Sequence, residues 1–450
     1  MDAWLEALSP RLEVVVSRFV DEHAAPGAAV GAVVDGRLAW DTGHGFADRA
    51  AGTAPDPHTA FRVASITKTF TATVLLQLRD DGVLGLDDPL TAHLPEFAAA
   101  RNPFGSAADV TLRLLLTHRA GITGQPPLQD WRARRFPSVE ETLAAADRIQ
   151  VVVPPGAERK YSNLGYQLLG EVVARADGHP YRDAVRARLL MPLRLDETGF
   201  DPPGGLTVAT GHDAPGSSDE PPVSAGRDKP TDAEGGLWST VHDLARWIGF
   251  QLDGDDEILA TTTLREMQRP QVLTDASWTA GQGLGWTQER RGERVYVGHQ
   301  GSTVGFCVRV AFSPADRIGV AVLTNGEAPA SALAVTLIDE LVDASRAHPR
   351  VTPPERSTPL PEPYRDLVGP YTWIDGGDAF RVAWETGALT LAWLGTDADA
   401  TPPTLEPTDE ADAFVIRGGN QTGERAVFHR DADGVVTGLD FAGFPLDRLA

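Results

Sequence analysis

The sequence predicts an α+β protein in two parts, a large mixed region followed by a small all-β domain. Strand-type patterns at both ends of residues 1–347 enclose a middle that reads as helical. Residues 348–363 contain six prolines, a composition typical of a semi-rigid linker. Residues 364–450 carry short β-type runs at regular spacing. Such runs predict a small antiparallel barrel or sandwich.

The first elements follow from hydrophobic periodicity. Residues 3–23 predict an amphipathic helix, and we expect Pro10 to interrupt it because proline removes a backbone donor. Ala28–Val34 and Arg37–Asp41 flank an Asp-Gly pair, the usual signal for a two-residue hairpin turn. A buried stripe of apolar residues then predicts a helix over Thr59–Leu78.

The rest of the large region continues this alternation. Residues 90–290 predict mostly short helices, with a long surface loop at Asp213–Thr231 that is rich in proline, glycine and acidic residues. Strands are expected to return, followed by a closing helix, at Arg294–Gly298, Val304–Phe312, Ile318–Thr324 and Ala330–Arg346. The β-type runs of the last domain are Phe380–Trp384, Leu389–Leu394, Ala413–Arg417, Ala426–His429 and Gly438–Phe441.

Composition limits the possible functions. The 450 residues are 42% hydrophobic with a net charge of −23, which indicates a globular protein and argues against nucleic acid or an anionic membrane as partner. The N-terminus lacks a basic segment and a long apolar stretch, so we expect a cytoplasmic protein without a secretory signal. No residues have metal-ligand or phosphate-loop spacing, so we expect neither a metal nor a cofactor.

Lysine is rare in this chain, and one lysine lies in a reactive setting. Only Lys68, Lys160 and Lys229 occur, and the first belongs to Ser65-Ile66-Thr67-Lys68. An ammonium group can lose its proton when it is desolvated, whereas a guanidinium stays protonated. A serine three residues before a lysine lies on the same face of a helix. The tetrapeptide therefore suggests a serine nucleophile beside an activating lysine.

Two further motifs make the pattern specific. Tyr161-Ser162-Asn163 follows a Pro-Pro-Gly turn, and Gly298-His299-Gln300-Gly301-Ser302 lies on a predicted strand. In order and spacing, Ser65-x-x-Lys68, Tyr161-x-Asn163 and His299-x-Gly301 resemble the three active-site motifs of penicillin-binding proteins and class C β-lactamases. The resemblance covers about residues 10–346 and includes residues 114–121 and 235–240.

The resemblance implies a fold and a set of roles. The fold would be the β-lactamase/penicillin-binding-protein-like transpeptidase fold, a five-stranded antiparallel sheet flanked by helices, with an inserted all-helical subdomain. Ser65 would be the nucleophile, near the positive end of a buried helix. A tyrosine phenol has an ordinary pKa of about 10. Tyr161 would therefore need a cationic neighbour, Lys68 or His299, to move a proton.

The remaining roles also come from the resemblance. Asn163 would accept a hydrogen bond from Lys68 and donate to a substrate carbonyl. The backbone N–H groups of Ser65 and Ser302 would form the oxyanion hole. Gly301 would leave space for substrate along the strand edge.

Three histidines lie in or near these motifs or on the helix after residues 235–240. His299 stands where most penicillin-binding proteins have lysine, and histidine occurs there in esterase, aminopeptidase and thioesterase branches. We expect His118 to be structural and His242 to be a solvated surface residue.

One branch of the resembled family fits the whole chain, namely the penicillin-binding-protein-type thioesterases, which release and macrocyclise nonribosomal peptides and carry a C-terminal lipocalin-like domain. Residues 364–450 fit that domain, and Arg448 would reach a D-residue carboxylate while Trp238 lines the same cleft. The expected partner is a peptidyl thioester or a carrier-protein-bound peptide. A surface role for Arg448 and a core role for Trp238 remain open. So do a D-amino-acid peptidase, an esterase and a penicillin sensor that does not turn over.

Overall fold

The structure is a computed structural model that describes residues 3–130, 135–212, 231–348, 359–373, 379–385, 387–393 and 402–449. Most of the predicted loop 213–231 and much of the predicted linker 348–363 lie outside these residues. The chain divides into two compact units, residues 1–348 (the N-terminal unit) and residues 349–450 (the barrel unit). No described helix is both long and apolar enough to cross a membrane.

The helices all belong to the N-terminal unit. In the described part of the chain they are α1 (Ala3–Glu22), α2 (Thr67–Asp80), α3 (Leu90–His93), α4 (Leu112–Leu116), α5 (Val139–Ala144), α6 (Asn163–Asp177), α7 (Tyr181–Val185), α8 (Asp232–Gly235), α9 (Val241–Asp253), α10 (Thr261–Gln268) and α11 (Ala330–Ala347). Short 3₁₀ turns connect several of them, including the turn Ala64–Ile66 that leads into α2.

The strands of the described residues form three sheets. In the N-terminal unit they are β1 (Gly27–Val34), β2 (Arg37–Gly45), β3 (Phe61–Arg62), β4 (Trp238–Ser239), β5 (Val272–Leu273), β6 (Ala280–Gln282), β7 (Thr287–Arg291), β8 (Arg294–Thr303), β9 (Phe306–Ser313) and β10 (Ile318–Thr324). In the barrel unit they are β11 (Gly369–Trp373), β12 (Ala379–Glu385), β13 (Ala388–Trp393), β14 (Thr404–Pro407), β15 (Ala413–Arg417), β16 (Arg425–Arg430), β17 (Val436–Phe441) and β18 (Phe444–Arg448).

The main sheet is antiparallel, with the strand order β2-β1-β10-β9-β8-β7-β6-β5. The even-numbered residues of β1 belong to a core with α1 and α11, whereas Ala29 and Val33 belong to a core with α2 and α9. This alternation is expected for a strand with helices on both faces. The fold predicted from the resemblance is confirmed, although the described sheet has eight strands because β5, β6 and β7 extend the expected five.

Two of the predicted helices differ from the structure. Pro10 does not interrupt α1. The Glu6 carbonyl that loses its backbone donor to Pro10 accepts instead from the Ser9 hydroxyl at 2.9 Å. The predicted helix over Thr59–Leu78 begins only at Thr67, because the preceding residues form β3 and the 3₁₀ turn.

The last domain is a closed barrel in which each of β11 to β18 pairs with the next, and β18 pairs back with β11. Residues two apart on one strand, such as Phe414 and Ile416 or Leu389 and Leu391, contribute to one interior core. This period of two is the pattern of inward-facing barrel residues. Among the described residues the interior is therefore packed with apolar side chains.

Candidate active site

Ser65 lies on a strained turn between β3 and α2. Ala64, just before it, has a φ of +44°, a left-handed value that is unfavourable for a residue with a Cβ. The turn is held by Thr67, whose Oγ1 donates to the Ala64 carbonyl at 2.7 Å and accepts from the Leu237 backbone N–H at 3.2 Å. Strain at one residue persists only where the surroundings enforce it, and such strain clusters at functional sites.

Lys68 lies one turn along and is completely buried. Its Nζ is 3.0 Å from Ser65 Oγ and donates to the Glu234 carbonyl at 2.6 Å. The ring centroids of Tyr161 and Tyr166 lie 5.1 Å and 5.6 Å from the same nitrogen, within cation–π range. The amine is therefore fixed beside the serine by a backbone acceptor and two aromatic faces.

Tyr161 completes a three-residue cluster. Its hydroxyl donates to Ser65 Oγ at 3.0 Å. The His118 ring packs against the Tyr161 ring with centroids 4.2 Å apart, and His118 Nδ1 accepts from the Ser162 backbone N–H at 3.2 Å. Burial, followed by the charge of Lys68, holds the pKa of His118 well below its usual value. His118 therefore orients the tyrosine motif as a neutral ring.

Asn163 begins α6, directly after Ser162, whose hydroxyl caps the helix by accepting from the Gly165 N–H at 3.0 Å. The expected hydrogen bond from Lys68 to Asn163 is not formed. Asn163 Oδ1 is buried and has no hydrogen-bond partner among the described residues. Lys68 points instead to the Glu234 carbonyl, and Asn163 keeps an unused acceptor beside the cluster.

His299 lies on β8 and is only 4% exposed. Its Nδ1 lies 2.6 Å from the Gln300 carbonyl, so this nitrogen carries the proton. Burial, reinforced by the charges of Lys68, Arg309 and Arg159, lowers the pKa of His299 to about 3. Of the two cationic neighbours expected for Tyr161, Lys68 or His299, this lowered pKa favours Lys68, because it favours the neutral form of the His299 ring.

Gly301 brings β8 against the nucleophile turn. A Cβ at this position would lie 2.3 Å from the Val63 carbonyl oxygen and 2.7 Å from a Val308 methyl. The expectation was that the glycine leaves space for substrate. The structure shows that it leaves space for the backbone that precedes Ser65.

Among the described residues, the edge of β8 beyond Gly298 has one neighbouring strand. Pairing with β7 stops at Thr287↔Gly298, whereas pairing with β9 continues to Thr303↔Phe306. Ser302 lies on this open stretch and is exposed. The backbone N–H groups of Ser65 and Ser302 stay the predicted oxyanion donors, and an extended substrate can pair with such an edge.

Two charged residues near the cluster were missed from the sequence. Glu234 is 6% exposed, and burial raises the pKa of its carboxyl to about 7, while the charge of Lys68 and a hydrogen bond from Gln167 act in the opposite direction. The guanidinium of Arg159 lies 5.7 Å from the Tyr161 ring centroid, and its Nε donates to Gln282. No sequence signal marks either residue, because both depend on how distant segments pack.

The other two predicted binding residues have different surroundings. Trp238 is 4% exposed, packed against Phe306 and near the Arg62 guanidinium, so it has almost no surface to offer a ligand. The cleft-lining role expected for Trp238 is corrected to a core role. Arg448 donates to the backbone carbonyls of Asp366 and Val368 within the barrel unit.

Comparisons with known proteins agree with this geometry. The family model described as Beta-lactamase matches residues 12–343, well over half of the chain. The chain belongs to the β-lactamase family. In this β-lactamase-family chain, Ser65 Oγ lies in contact with both Lys68 Nζ and the Tyr161 hydroxyl. A second family model, for a domain of unknown function named DUF7586, matches residues 360–448.

Several relatives of this β-lactamase-family chain are similar over long stretches. Protein flp of Staphylococcus aureus (strain MRSA252) is 26% identical over 325 residues, which are 70% of this chain and 62% of flp. The chain thus spans less than two thirds of that relative's length. Beta-lactamase-like protein 2 of Dictyostelium discoideum is 26% identical over 416 residues, covering 80% of this chain and 72% of that protein.

Solved structures extend the similarity to the barrel. The octameric penicillin-binding protein homologue from Pyrococcus abyssi is 26% identical with a TM-score of 0.65, covering 97% of this chain and 99% of that chain. The crystal structure of SurE is 27% identical with a TM-score of 0.61, covering 99% and 100% respectively. A structure of SurE with D-Leu aligns similarly, at 26% identity and a TM-score of 0.60 over 99% of this chain.

Proposed function

We propose that this serine hydrolase releases and macrocyclises nonribosomal peptides, head to tail, from thioesters whose last residue has D configuration. The observation that carries the proposal is the cluster in which Ser65 Oγ lies 3.0 Å from both Lys68 Nζ and the Tyr161 hydroxyl. Two proton-handling groups at one nucleophile serve both halves of an acyl transfer.

In the first half, Ser65 Oγ attacks the thioester carbonyl and its proton passes to Lys68 or Tyr161. The Oγ–C bond forms, the C–S bond breaks, and the departing thiolate takes the proton. In the second half, the peptide's own N-terminal amine attacks the ester. A C–N bond replaces the C–O bond, and the amine's proton returns to Ser65 Oγ through the same pair.

One observation favours a D-configured residue, and a second favours an extended peptide over other acyl groups. SurE, which is similar over 99% of this chain, has been solved with D-Leu. The open edge of β8 beyond Gly298 lies beside the nucleophile turn, which Gly301 contacts, and it could bind the peptide in an extended form. The tethered amine then competes with water by its high effective concentration.

Arg448 remains the residue that we propose for binding the substrate carboxylate, at the cost of two hydrogen bonds that it makes in the barrel unit. Binding a substrate carboxylate would require its guanidinium to exchange the Asp366 and Val368 carbonyls for the ligand. Because an ion pair with a carboxylate is stronger than bonds to neutral carbonyls, such an exchange is chemically reasonable.

Synthetic linear peptidyl thioesters, matched except for a D or L C-terminal residue, test the proposal. We expect cyclic product from the D series only, identified by mass spectrometry, and none with Ser65→Ala. Arg448→Ala should reduce cyclisation far more than hydrolysis of a p-nitrophenyl ester. Equal loss in both assays would remove Arg448 from the proposal.

The alternative is a D-amino-acid peptidase or esterase. The similarity over 97% of the chain to a penicillin-binding protein homologue, together with a neutral His299 in the third motif, favours this alternative. Turnover of D-aminoacyl amides or simple esters, with hydrolysed peptide and no ring from the D thioesters, would establish the alternative and reject the cyclase.

A further inference from the structure

A second cluster of ligating side chains lies outside the Ser65 site. Among the described residues, the donor atoms of His58, Glu197 and His242 all lie within 4.8 Å of one another. His58 Nδ1 is 2.7 Å from Glu197 Oε1, and His242 Nδ1 is 3.5 Å from Glu197 Oε2. Two imidazoles and a carboxylate are a common ligand set for zinc.

A fourth group points into the same cluster. The Asp243 side chain is 1% exposed, and its Oδ2 accepts from the Glu197 N–H and the Thr198 hydroxyl, both at 2.8 Å. Its Oδ1 has no hydrogen-bond partner among the described residues and lies 3.5 Å from His242 Nδ1. His242 Nδ1 is itself buried and makes no hydrogen bond there. A buried carboxylate oxygen and a buried ring nitrogen thus face each other unpaired.

The charges favour a cation in this cluster. The carboxylates of Glu197 and Asp243 each lie 3.5 Å from His242 Nδ1, and two carboxylates this close repel each other when both are ionised. A divalent cation between them would remove that repulsion and supply a partner for Asp243 Oδ1.

We propose that His58, Glu197, His242 and Asp243 form a structural zinc site. In tetrahedral zinc sites, bonds of about 2.0–2.2 Å separate neighbouring ligand atoms by roughly 3.3–3.6 Å. The two 3.5 Å separations at His242 fit that geometry. The 2.7 Å distance between His58 Nδ1 and Glu197 Oε1 must lengthen slightly when zinc binds. The His58 side chain is 50% exposed and has room to move. Zinc takes the place of the proton between His58 Nδ1 and Glu197, and that proton moves to His58 Nε2 or to solvent.

The position of the site indicates its role. His58 lies just before β3, and His242 N donates to the Pro57 carbonyl at 2.9 Å. Glu197 lies two residues before Gly199, which exchanges two backbone hydrogen bonds with Trp238 of β4. β3 leads directly into the Ser65 turn and pairs with β4. Zinc would therefore hold together the segments that flank the two-stranded sheet of β3 and β4.

The test uses the full chain stripped of metal by a chelator. Calorimetric titration with zinc chloride should give one ion per chain, and thermal unfolding should shift upward with zinc. His58→Gln and Glu197→Gln should each weaken zinc affinity by about 10-fold or more, since each removes a ligand. Cobalt(II) in place of zinc should give the visible absorption of a tetrahedral ion.

His44→Gln is the matched control, because His44 pairs with Glu13 at 2.9 Å outside the cluster. It should leave zinc affinity unchanged. Circular dichroism checks that each variant is folded, and His58 is the safest position because its side chain is half exposed. No binding by the native chain, or an affinity equal in the native, His58→Gln and Glu197→Gln proteins, would overturn the proposal.

Discussion

The buried carboxyl of Glu234 gives a sharp test of the site's electrostatics. Burial raises its pKa from an ordinary 4.5 to about 7. The folded state therefore holds this proton more tightly than the unfolded state does. The stability associated with the protonated form is fully present below the unfolded pKa and is lost as pH rises toward the folded value.

The size of the effect follows from the two pKa values. Each pKa unit corresponds to ~1.4 kcal/mol, so the full loss is about 3 kcal/mol. Between about pH 5 and pH 8, linkage predicts a loss of about 2–3 kcal/mol in the free energy of unfolding. Glu234→Gln removes the titration yet retains an oxygen that can accept from Gln167 Nε2, which lies 3.3 Å from Glu234 Oε1.

The assay is urea unfolding of the native protein and Glu234→Gln across this pH range. Other titrating groups, His299 among them, are present in both proteins and cancel in the difference. We expect the native protein to lose stability relative to Glu234→Gln as pH rises. Parallel curves over the whole range would refute the reasoning, because they would mean that Glu234 has the same pKa in both states.

Three other outcomes follow from single contacts. Gly301→Ala should destabilise the fold by about 1–3 kcal/mol and slow acylation of Ser65, because its Cβ would lie 2.3 Å from the Val63 carbonyl oxygen. Urea midpoints and fluorophosphonate labelling measure both effects, and native-like values would contradict the assigned contact. His299, with its pKa lowered to about 3, should show no imidazole proton NMR titration from about pH 5 to pH 8. A midpoint near 6.5 would mean that the ring is exposed. Asn325→Ala should cost about 2–3 kcal/mol, because Asn325 Nδ2 donates to the carbonyls of Phe46, Ala47 and Thr210. Unchanged chemical denaturation would show that water replaces those bonds.

Much of the fold could be predicted from hydrophobic periodicity. Five barrel strands were found from their alternating apolar residues, and β11, β14 and β18 were missed. Each missed strand contains a proline, at Pro370, Pro407 and Pro445, and proline argues against a strand in sequence reasoning. The helix α1 was split at Pro10 for the same reason. The sequence shows that each proline lacks a backbone N–H donor, whereas only the folded chain shows which interaction compensates for the loss.

The candidate site likewise contains some features that local sequence predicts and others that depend on the folded chain. Ser65 and Lys68 are neighbours on one turn, so their contact follows from local geometry. Tyr161 was assigned to the same site because its motif resembles that of the family. The neutral state of His299 and the core position of Trp238 depend on burial that no local pattern shows. His58, Glu197 and His242 come from three separated segments, so no motif spacing could join them.

The pairing of β1 with β10 has a consequence for how this protein is made. Residues 28–34 of β1 gain their second neighbouring strand only when residues 318–324 have been translated, roughly 290 positions later. A chain that is still being translated and already contains Ser65 and Lys68 therefore has an unpaired edge on β1. Premature stop codons before β10 should yield products that chaperones retain or proteases remove.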